Sequence, residues 1–308
     1  MENSELSKIS YEEIYREKRE KLKEGFGVVL CTKMKEGGTA SIETQTKLAE
    51  EMNLSAVQFD FRNRTDKEIE QSKVMLADYK KTHPDVAISI HGETPKINEA
   101  DLSFKNKNRT LREIGFLQQL SGESYTVHPP SISQKLFKEL SDDARSQIIE
   151  NYSGIFVQAV KSASGSESKF SLGIENMPVK GEDGSWGQNV EDILMLVKRI
   201  EQDIVEQGID FKIAHEYVGA TLDISHALHG ADPKEYKNIL ESWFKKLGDY
   251  LRIIHLYTPS NPNEEFNEKY RLCLDLASQF NPNARLFMES KQSPEITKEL
   301  YNSTKQID

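Results

Sequence analysis

Eight short apolar runs, rich in β-branched and aromatic residues, recur along the chain, and each is followed by a longer amphipathic stretch. Near-continuous apolar strands that alternate with helices are typical of βαβ units and of a parallel sheet buried on both faces. Eight such units are the number that closes a (β/α)8 barrel. The predicted strands are Phe26–Cys31, Ala56–Phe61, Val86–Ile90, Ser124–Val127, Phe170–Ile174, Ala220–Ile224, Leu251–Leu256 and Arg285–Met288.

The stretches between these runs have the apolar spacing of helices. The predicted helices are Ile42–Met52, Asp66–Lys81, Arg109–Leu120, Asp142–Ser162, Val190–Gln207, Pro233–Leu247, Phe266–Phe280 and Pro294–Asn302. A doubly wound sheet is the alternative, but it usually carries a glycine-rich phosphate loop after its first strand. The segment after the first run reads CTKMKEGGTAS and has no G-x-G-x-x-G motif. We therefore predict an α/β fold consisting of a single (β/α)8 TIM barrel.

Residues 1–24 are almost entirely charged or polar, which predicts a short helical arm laid on the surface of the barrel. A chain of 308 residues has room for two domains of about 150 residues each. However, no linker or low-complexity segment interrupts the alternation of strands and helices, and the most irregular stretch is the glycine-rich loop Val179–Gln188. We expect an arm over residues 1–24 and one barrel domain over residues 25–308.

Charge and composition narrow the classes of function. The 40 basic and 50 acidic residues give a formal net charge of −10, which disfavours nucleic acid as a partner, since its binding relies on basic surfaces. No run approaches the ~18 consecutive apolar residues of a membrane span, and the amino terminus lacks the apolar core of a secretory signal. The two cysteines, Cys31 and Cys273, are too few for a disulfide framework, which fits a reducing compartment. We expect a cytoplasmic protein with no membrane partner.

Polar side chains stand at the carboxyl ends of six consecutive predicted strands, the third to the eighth. TIM barrels build their active sites at this end. The residues, together with a histidine three positions after the aspartate, are His91, His128, Glu175, Asp223, His226, His255 and Glu289. One such residue alone is usually a cap or a surface group. Several acids and imidazoles in one barrel mouth are costly to bury unless they are paired or bind a cation.

Imidazole and carboxylate ligands without a thiolate favour Zn²⁺, Mn²⁺ or Fe²⁺. We therefore predict a divalent-metal site with one or two ions at the barrel mouth. The other histidines are assigned no ligand role: His83 precedes the third strand at the opposite end, His215 precedes the sixth strand, and His229 lies on the loop after His226. Cys31 ends the first strand and is expected to be a small buried residue.

The motifs His-Gly, His-Pro, Ile-Glu-Asn, Leu-Asp-x-x-His, Ile-His-Leu and Glu-Ser occur in this order and at barrel-like spacing. They resemble the xylose-isomerase-like TIM barrel superfamily, which includes sugar isomerases, epimerases and endonuclease IV. In the isomerase and epimerase branch, the resemblance implies one cation held by Glu175, Asp223, His255 and Glu289, with His226 beside the substrate. It also implies that Glu175 and Glu289 act as paired acid and base, moving a proton beside a carbonyl of a sugar, sugar phosphate or polyol.

The endonuclease IV branch, which carries a trinuclear zinc cluster, is the alternative that the same motifs imply. There, His91, His128 and Glu175 match the first zinc site, and Glu175, Asp223, His255 and Glu289 match the second. His226 matches one ligand of the third site. That site also needs an Asp-x-His pair after the seventh strand, but Tyr257–Tyr270 contains no histidine. The alternative is therefore a phosphoester hydrolase with a dinuclear site.

A third class is a catalytically altered relative, such as an oxidase, a lyase or a binding protein, because the fold alone does not separate these activities. We favour the isomerase or epimerase, with a small carbohydrate-like molecule as substrate. Arg62 and Arg64 follow the second strand and Lys180 follows the fifth. These cations are candidate contacts for an anionic group of the substrate, although loop charges are usually solvated.

Overall fold

The computed structural model describes residues 11–30, 41–98, 100–163, 170–259, 263–290 and 292–305, so the expectation for Cys31 lies outside the described residues. Within them, eight parallel strands pair in sequence order and close into a barrel. The predicted TIM barrel is confirmed. The strands are β1 (Gly27–Leu30), β2 (Ala56–Asp60), β3 (Ala87–His91), β4 (Ser124–Val127), β5 (Ser171–Glu175), β6 (Val218–Asp223), β7 (Leu251–Tyr257) and β8 (Arg285–Glu289).

Helices surround the barrel, and all eight helical stretches expected from the sequence are present. The helices in the described part of the chain are α1 (Tyr11–Glu24), α2 (Ile42–Glu51), α3 (Asp66–Thr82), α4 (Lys107–Gln119), α5 (Gln134–Glu139), α6 (Asp142–Ala163), α7 (Val190–Glu206), α8 (Phe211–Tyr217), α9 (Ile224–Ala227), α10 (Tyr236–Leu247), α11 (Glu264–Phe280) and α12 (Pro294–Lys305). The short helices α5, α8 and α9 were not expected. The stretch expected as one helix from Pro233 begins with a 3₁₀ turn, Pro233–Glu235, before α10.

Polar side chains fix where several helices begin. Thr65 and Glu68 form a reciprocal capping box at α3, and Asn189 accepts a hydrogen bond from the first turn of α7. Such caps satisfy backbone N–H groups that have no partner within the helix. Asp223 caps α9 in the same way by accepting from the backbone N–H of His226. Ile224, expected as the last residue of the sixth strand, therefore opens this helix instead.

The strands are buried on both faces, as in parallel sheets covered by helices. One set of alternate residues packs against the helices, and the inner set includes the small apolar cluster Val29, Ala56, Ala87, Ile253 and Phe287. The rest of the barrel interior is lined by polar side chains. Gln58 donates to Thr126 Oγ1 at 2.9 Å, and Thr126 and Thr221 lie 3.3 Å apart between their hydroxyl oxygens. Gly173 leaves room for this pair, since a Cβ there would approach Thr221 Oγ1 to 2.2 Å.

Residues 11–24 form α1, which contacts α11 and β8. Leu22 is buried, and Arg19 lies 3.6 Å from Asp275 on α11. The described part of the expected arm is thus a helix held to the barrel by one apolar contact region and an ion pair. None of the helices in the described part of the chain is long and apolar enough to span a membrane.

Candidate metal centre

The last four strands bring their terminal polar side chains together at the carboxyl end of the barrel. In the sheet, Asp223 is in register with His255, and Tyr257 is in register with Glu289. Glu175, Asp223, His255 and Glu289, called here the four-residue cluster, are all buried. Each offers one ligand atom, and these four atoms lie within 4.8 Å of one another. The set that the sequence motifs marked is therefore one compact group in space.

His91 and His128 lie on the other side of Glu175. Glu175 Oε1 is 3.0 Å from His255 Nδ1, while Glu175 Oε2 is 2.7 Å from His91 Nε2. His128 Nε2 is 3.3 Å from the same Oε2 but makes no hydrogen bond with any described residue. Thr94 fixes the other side of this ring, with its hydroxyl 2.9 Å from His128 Nδ1. The two oxygens of Glu175 thus face His255 on one side and His91 and His128 on the other. Ligand atoms of His91, Glu175 and His255 also lie within 4.8 Å of one another, so these three residues form a second group that could hold a cation.

Burial and mutual charge shift the pKa values of this region in opposite directions. Burial alone would raise the pKa of Glu175, but the imidazoles of His255, His91 and His128 hold it well below its usual range. Burial alone would lower the pKa of His255, but Glu175 and the other carboxylates raise it above its ordinary value. Strong opposing shifts inside one pocket are typical of functional sites.

Two further pKa shifts decide the protonation of the possible ligands. Burial and the nearby guanidinium of Arg62 lower the pKa of His91 to about 4, so this imidazole is neutral at pH 7. Burial raises the pKa of Asp223 to about 6, with the charges of Glu175 and Glu289 acting in the same direction. A neutral imidazole can offer a lone pair to a metal, and a crowded carboxylate gains when a cation is added.

Asn176 joins the cluster to His226 and is a residue whose role the sequence analysis missed. Its side-chain oxygen accepts from the Asp223 N–H at 2.7 Å, and its side-chain nitrogen donates to the Asp223 carbonyl at 3.1 Å. His226 Nδ1 lies 2.8 Å from the Asn176 carbonyl oxygen. Because a carbonyl only accepts, His226 Nδ1 carries the proton. The signal was present in the Ile-Glu-Asn motif, where Asn176 directly follows Glu175.

The cations expected near the mouth have three different environments. Arg62 lies in the site, with its Nη2 3.3 Å from Glu289 Oε1. Arg64 is buried and donates to the Asp60 carbonyl oxygen, so it is not a solvated loop charge. Lys180 is exposed, and its backbone N–H donates to Gln188. Asp60 ends β2 and was not among the predicted site residues. Polar residues at the carboxyl ends of strands were selected only from the third strand onward, and the same criterion applied to the second strand would have identified Asp60.

The histidines that were assigned no ligand role are not part of the four-residue cluster. His83 follows α3 and stacks on Tyr79 with ring centroids 4.5 Å apart. His215, on α8, is 2.7 Å from Glu201 Oε1. His229 follows α9 on the loop to the next helix.

The four-residue cluster fits a divalent cation. His255 Nε2 is buried and has no hydrogen-bond partner among the described residues, so an imidazole nitrogen is left for another ligand. Three buried carboxylates beside it would repel one another, and a cation relieves that repulsion. Opposed ligands on an ion at about 2.1 Å lie about 4.2 Å apart, close to the 4.8 Å spread of these atoms. Oxygen and imidazole donors suit Zn²⁺, Mn²⁺ or Fe²⁺.

No family model matches the chain, and no curated protein matches its sequence. Solved structures do match its fold. L-ribulose 3-epimerase is 12% identical with a TM-score of 0.55, covering 91% of this chain and 85% of its own. D-allulose 3-epimerase from Methylomonas sp. in complex with D-allulose is 11% identical with a TM-score of 0.54, covering 87% of this chain and 83% of its own.

A xylose isomerase-like TIM barrel protein from Mycobacterium smegmatis, in complex with magnesium, is 15% identical with a TM-score of 0.53. This match covers 92% of this chain and 95% of that one. The chain is therefore a TIM barrel with a buried cluster of carboxylates and imidazole at its mouth. Its barrel has the fold of the xylose-isomerase-like proteins, which confirms the resemblance at the level of the fold.

Proposed function

We propose that the protein is a divalent-metal-dependent isomerase or epimerase that acts on a sugar, a sugar phosphate or a polyol. The observation that carries the proposal is the four-residue cluster, whose ligand atoms lie within 4.8 Å of one another and include two glutamates. The fold likeness to L-ribulose 3-epimerase and to D-allulose 3-epimerase supports the same class of reaction.

The chain's own residues divide the work of proton transfer. A divalent cation held by Glu175, Asp223, His255 and Glu289 would polarise a substrate carbonyl and stabilise negative charge on its oxygen. Glu175 ends β5 and Glu289 ends β8, and β6 and β7 lie between these two strands in the barrel. The two glutamates therefore flank the space in which the substrate would lie. One carboxylate takes the proton from the carbon beside the carbonyl, and the other delivers a proton back, so no electrons are gained or lost.

Three side chains would bind the remainder of the substrate. His226, one-quarter exposed at the mouth, has its Nδ1 proton directed to the Asn176 carbonyl, which leaves Nε2 to accept from a sugar hydroxyl. Arg62 is 18% exposed and can donate to a hydroxyl or an anionic group. Lys180 lies further out on the exposed loop after β5 and would contact only a longer substrate.

Hydrogen exchange with solvent tests this proposal across a whole class of sugars at once. The metal-loaded protein is incubated in D₂O with a panel of ketoses, aldoses and their phosphates, and NMR detects deuterium at the carbon beside the carbonyl. We expect incorporation with at least one sugar and a loss of about 10²-fold or more in Glu289→Gln, since acid–base groups typically contribute this much. Glu201→Gln is the matched control, because Glu201 is a buried carboxylate bonded to His215 and Tyr250 outside the cluster.

Metal analysis tests the ligand assignment separately. Glu175→Ala and Asp223→Ala should each abolish metal binding, because each removes a charged ligand and leaves the remaining ligands incomplete. The measurement is elemental analysis of dialysed protein. Full metal retention in both variants would contradict the assignment of the centre, and no exchange with any sugar would contradict the reaction.

A second candidate function is a phosphoester hydrolase with a dinuclear centre. The observation that favours it is the placement of Glu175, whose Oε1 faces His255 and whose Oε2 faces His91 and His128. A carboxylate between two ligand groups suits two ions about 3.5–4 Å apart, the spacing used for in-line displacement at phosphorus. Two metal equivalents per chain, with chelator-sensitive hydrolysis of a phosphodiester, would favour this candidate over the first.

A further inference from the structure

We propose that Arg62 is a positioning residue for the Glu289 carboxylate, and that the turn over residues 61–64 is built to hold its guanidinium in place. The proposal rests on the proposed function, in which Glu289 is a metal ligand and one of the two acid–base groups. It adds supporting residues from β2 and its turn, from the loop after β3 and from α4 to a site otherwise described by the last four strands.

Arg62 is held in one orientation by Asp60. The guanidinium makes a two-pronged contact, with Nε 2.9 Å from Asp60 Oδ1 and Nη2 3.2 Å from Oδ2. The backbone N–H of Arg62 also donates to Asp60 Oδ1 at 2.9 Å. The same Nη2 lies 3.3 Å from Glu289 Oε1. A planar guanidinium fixed at two atoms presents its remaining edge in a set direction.

The backbone of the turn is fixed by charged side chains from neighbouring elements. Glu93, which follows β3, accepts from the Asn63 N–H at 2.8 Å. Arg109, on α4, donates to the carbonyl oxygens of Phe61 at 2.6 Å and Arg64 at 2.7 Å. Asn63 has a φ of 59°, in the left-handed region, where Asn is tolerated better than most residues. The turn therefore has little freedom to move.

The holding residues are themselves anchored in the protein interior. Arg109 Nε is 2.8 Å from Glu113 Oε1, and the Tyr125 hydroxyl donates to Glu113 Oε2 at 2.6 Å. Glu113 and Tyr125 are fully buried. Burying such charged groups is costly, and a buried ion pair is weak evidence for added stability. What these contacts do define is geometry, because each bond has a set length and direction.

The consequence for the site is that Glu289 has one oxygen facing Arg62. Carboxylates that bind metals are commonly held by hydrogen bonds from surrounding residues, which orient them toward the ion. With Oε1 held by Arg62, the orientation in which the Glu289 carboxylate meets the other three residues of the cluster is set. If Arg62 only balanced negative charge, neither the two-pronged contact with Asp60 nor the fixed turn would be needed.

Cobalt binding tests the positioning role without a substrate. The full chain is loaded with Co²⁺, whose visible absorption spectrum reports the arrangement of its ligands. Arg62→Lys keeps the positive charge but cannot reproduce the two-pronged contact. We expect about 10-fold or weaker Co²⁺ affinity, the lower end of what such supporting residues contribute, and a changed spectrum. Arg112→Lys is the matched control. Arg112 lies on α4 about one turn after Arg109 and pairs with Asp66 at the surface, away from Arg62 and Glu289.

A chemical rescue separates geometry from charge. In Arg62→Ala, added guanidinium ion at low concentration should restore the parent Co²⁺ spectrum, whereas ammonium ion at the same concentration should not. An Arg62→Lys variant with the parent's affinity and spectrum would overturn the positioning role. So would weaker binding of inorganic phosphate by that variant with an unchanged spectrum, because Arg62 would then act on a substrate anion alone and not on Glu289. Failure of the parent chain to bind Co²⁺ would refute the proposed function itself, which distinguishes the two failures.

Discussion

Metal affinity at the four-residue cluster should rise with pH between about 5 and 7. A carboxylate must lose its proton before it can bind a cation, and burial raises the pKa of Asp223 to about 6. At pH 5 about one-tenth of such a group is ionised, and at pH 7 about nine-tenths, so Asp223 alone changes the apparent affinity about 10-fold. The raised pKa of His255 adds a second proton that competes with the metal in the same range. Glu175, whose pKa is held low, adds nothing here.

Calorimetric titration with Zn²⁺ or Mn²⁺ measures how the metal affinity depends on pH and identifies the groups that cause this dependence. Titrations at pH 6 in buffers of different ionisation enthalpy should show that more than one proton is released for each ion bound. In Asp223→Asn the affinity should fall, and its pH dependence near pH 6 should become shallower by about half a proton, because a carboxylate that is half protonated at that pH is gone. An affinity of the parent that stays constant from pH 5 to pH 7 would refute the protonation states assigned to the cluster.

Three further outcomes are expected. The His91→Asn/His128→Asn double variant should keep one metal equivalent per chain in elemental analysis, whereas a loss of one equivalent together with all activity would contradict the mononuclear centre. Gly92→Ala should destabilise the fold in urea by about 2–3 kcal/mol, because its Cβ would lie 1.8 Å from the Tyr125 hydroxyl oxygen. The control Gly115→Ala meets nothing within 4 Å and should stabilise α4 by up to about 1 kcal/mol. DNA binding should be weak and strongly salt-dependent, and chelator-sensitive incision of an abasic duplex would contradict this.

The barrel was predictable because its elements are long or strongly patterned. Each strand from β1 to β8 is a local apolar run, and the number of units alone points to closure. The short helices were not predictable in this way. Helix α9 has only four residues and begins because the Asp223 carboxylate accepts from the His226 N–H. A cap of this kind depends on the side chain's direction at the strand end, which hydrophobic periodicity does not report.

The candidate site was predictable to the extent that it follows strand ends. That rule selected Glu175, Asp223, His255 and Glu289, which the barrel brings together. The same rule did not identify Arg109. Its guanidinium donates to the carbonyl oxygens of Arg64 and Phe61, which lie 45 and 48 positions earlier in the chain. Such a contact depends on how the β2 turn and α4 meet after the barrel closes. Sequence spacing alone carries no information about it.

The two candidate acid–base carboxylates are not equivalent, and their surroundings suggest different roles. Glu175 has both oxygens within 3.0 Å of imidazole nitrogens and a pKa held well below its ordinary range. A carboxylate with so low a pKa is a weak base at neutral pH. Glu289 instead meets a guanidinium, with Arg62 Nη2 3.3 Å from its Oε1, and this contact fixes its orientation. Because imidazoles engage both oxygens of Glu175, whereas Arg62 engages one oxygen of Glu289, we expect Glu289 to take the proton from carbon and Glu175 to hold the cation and deliver the proton back.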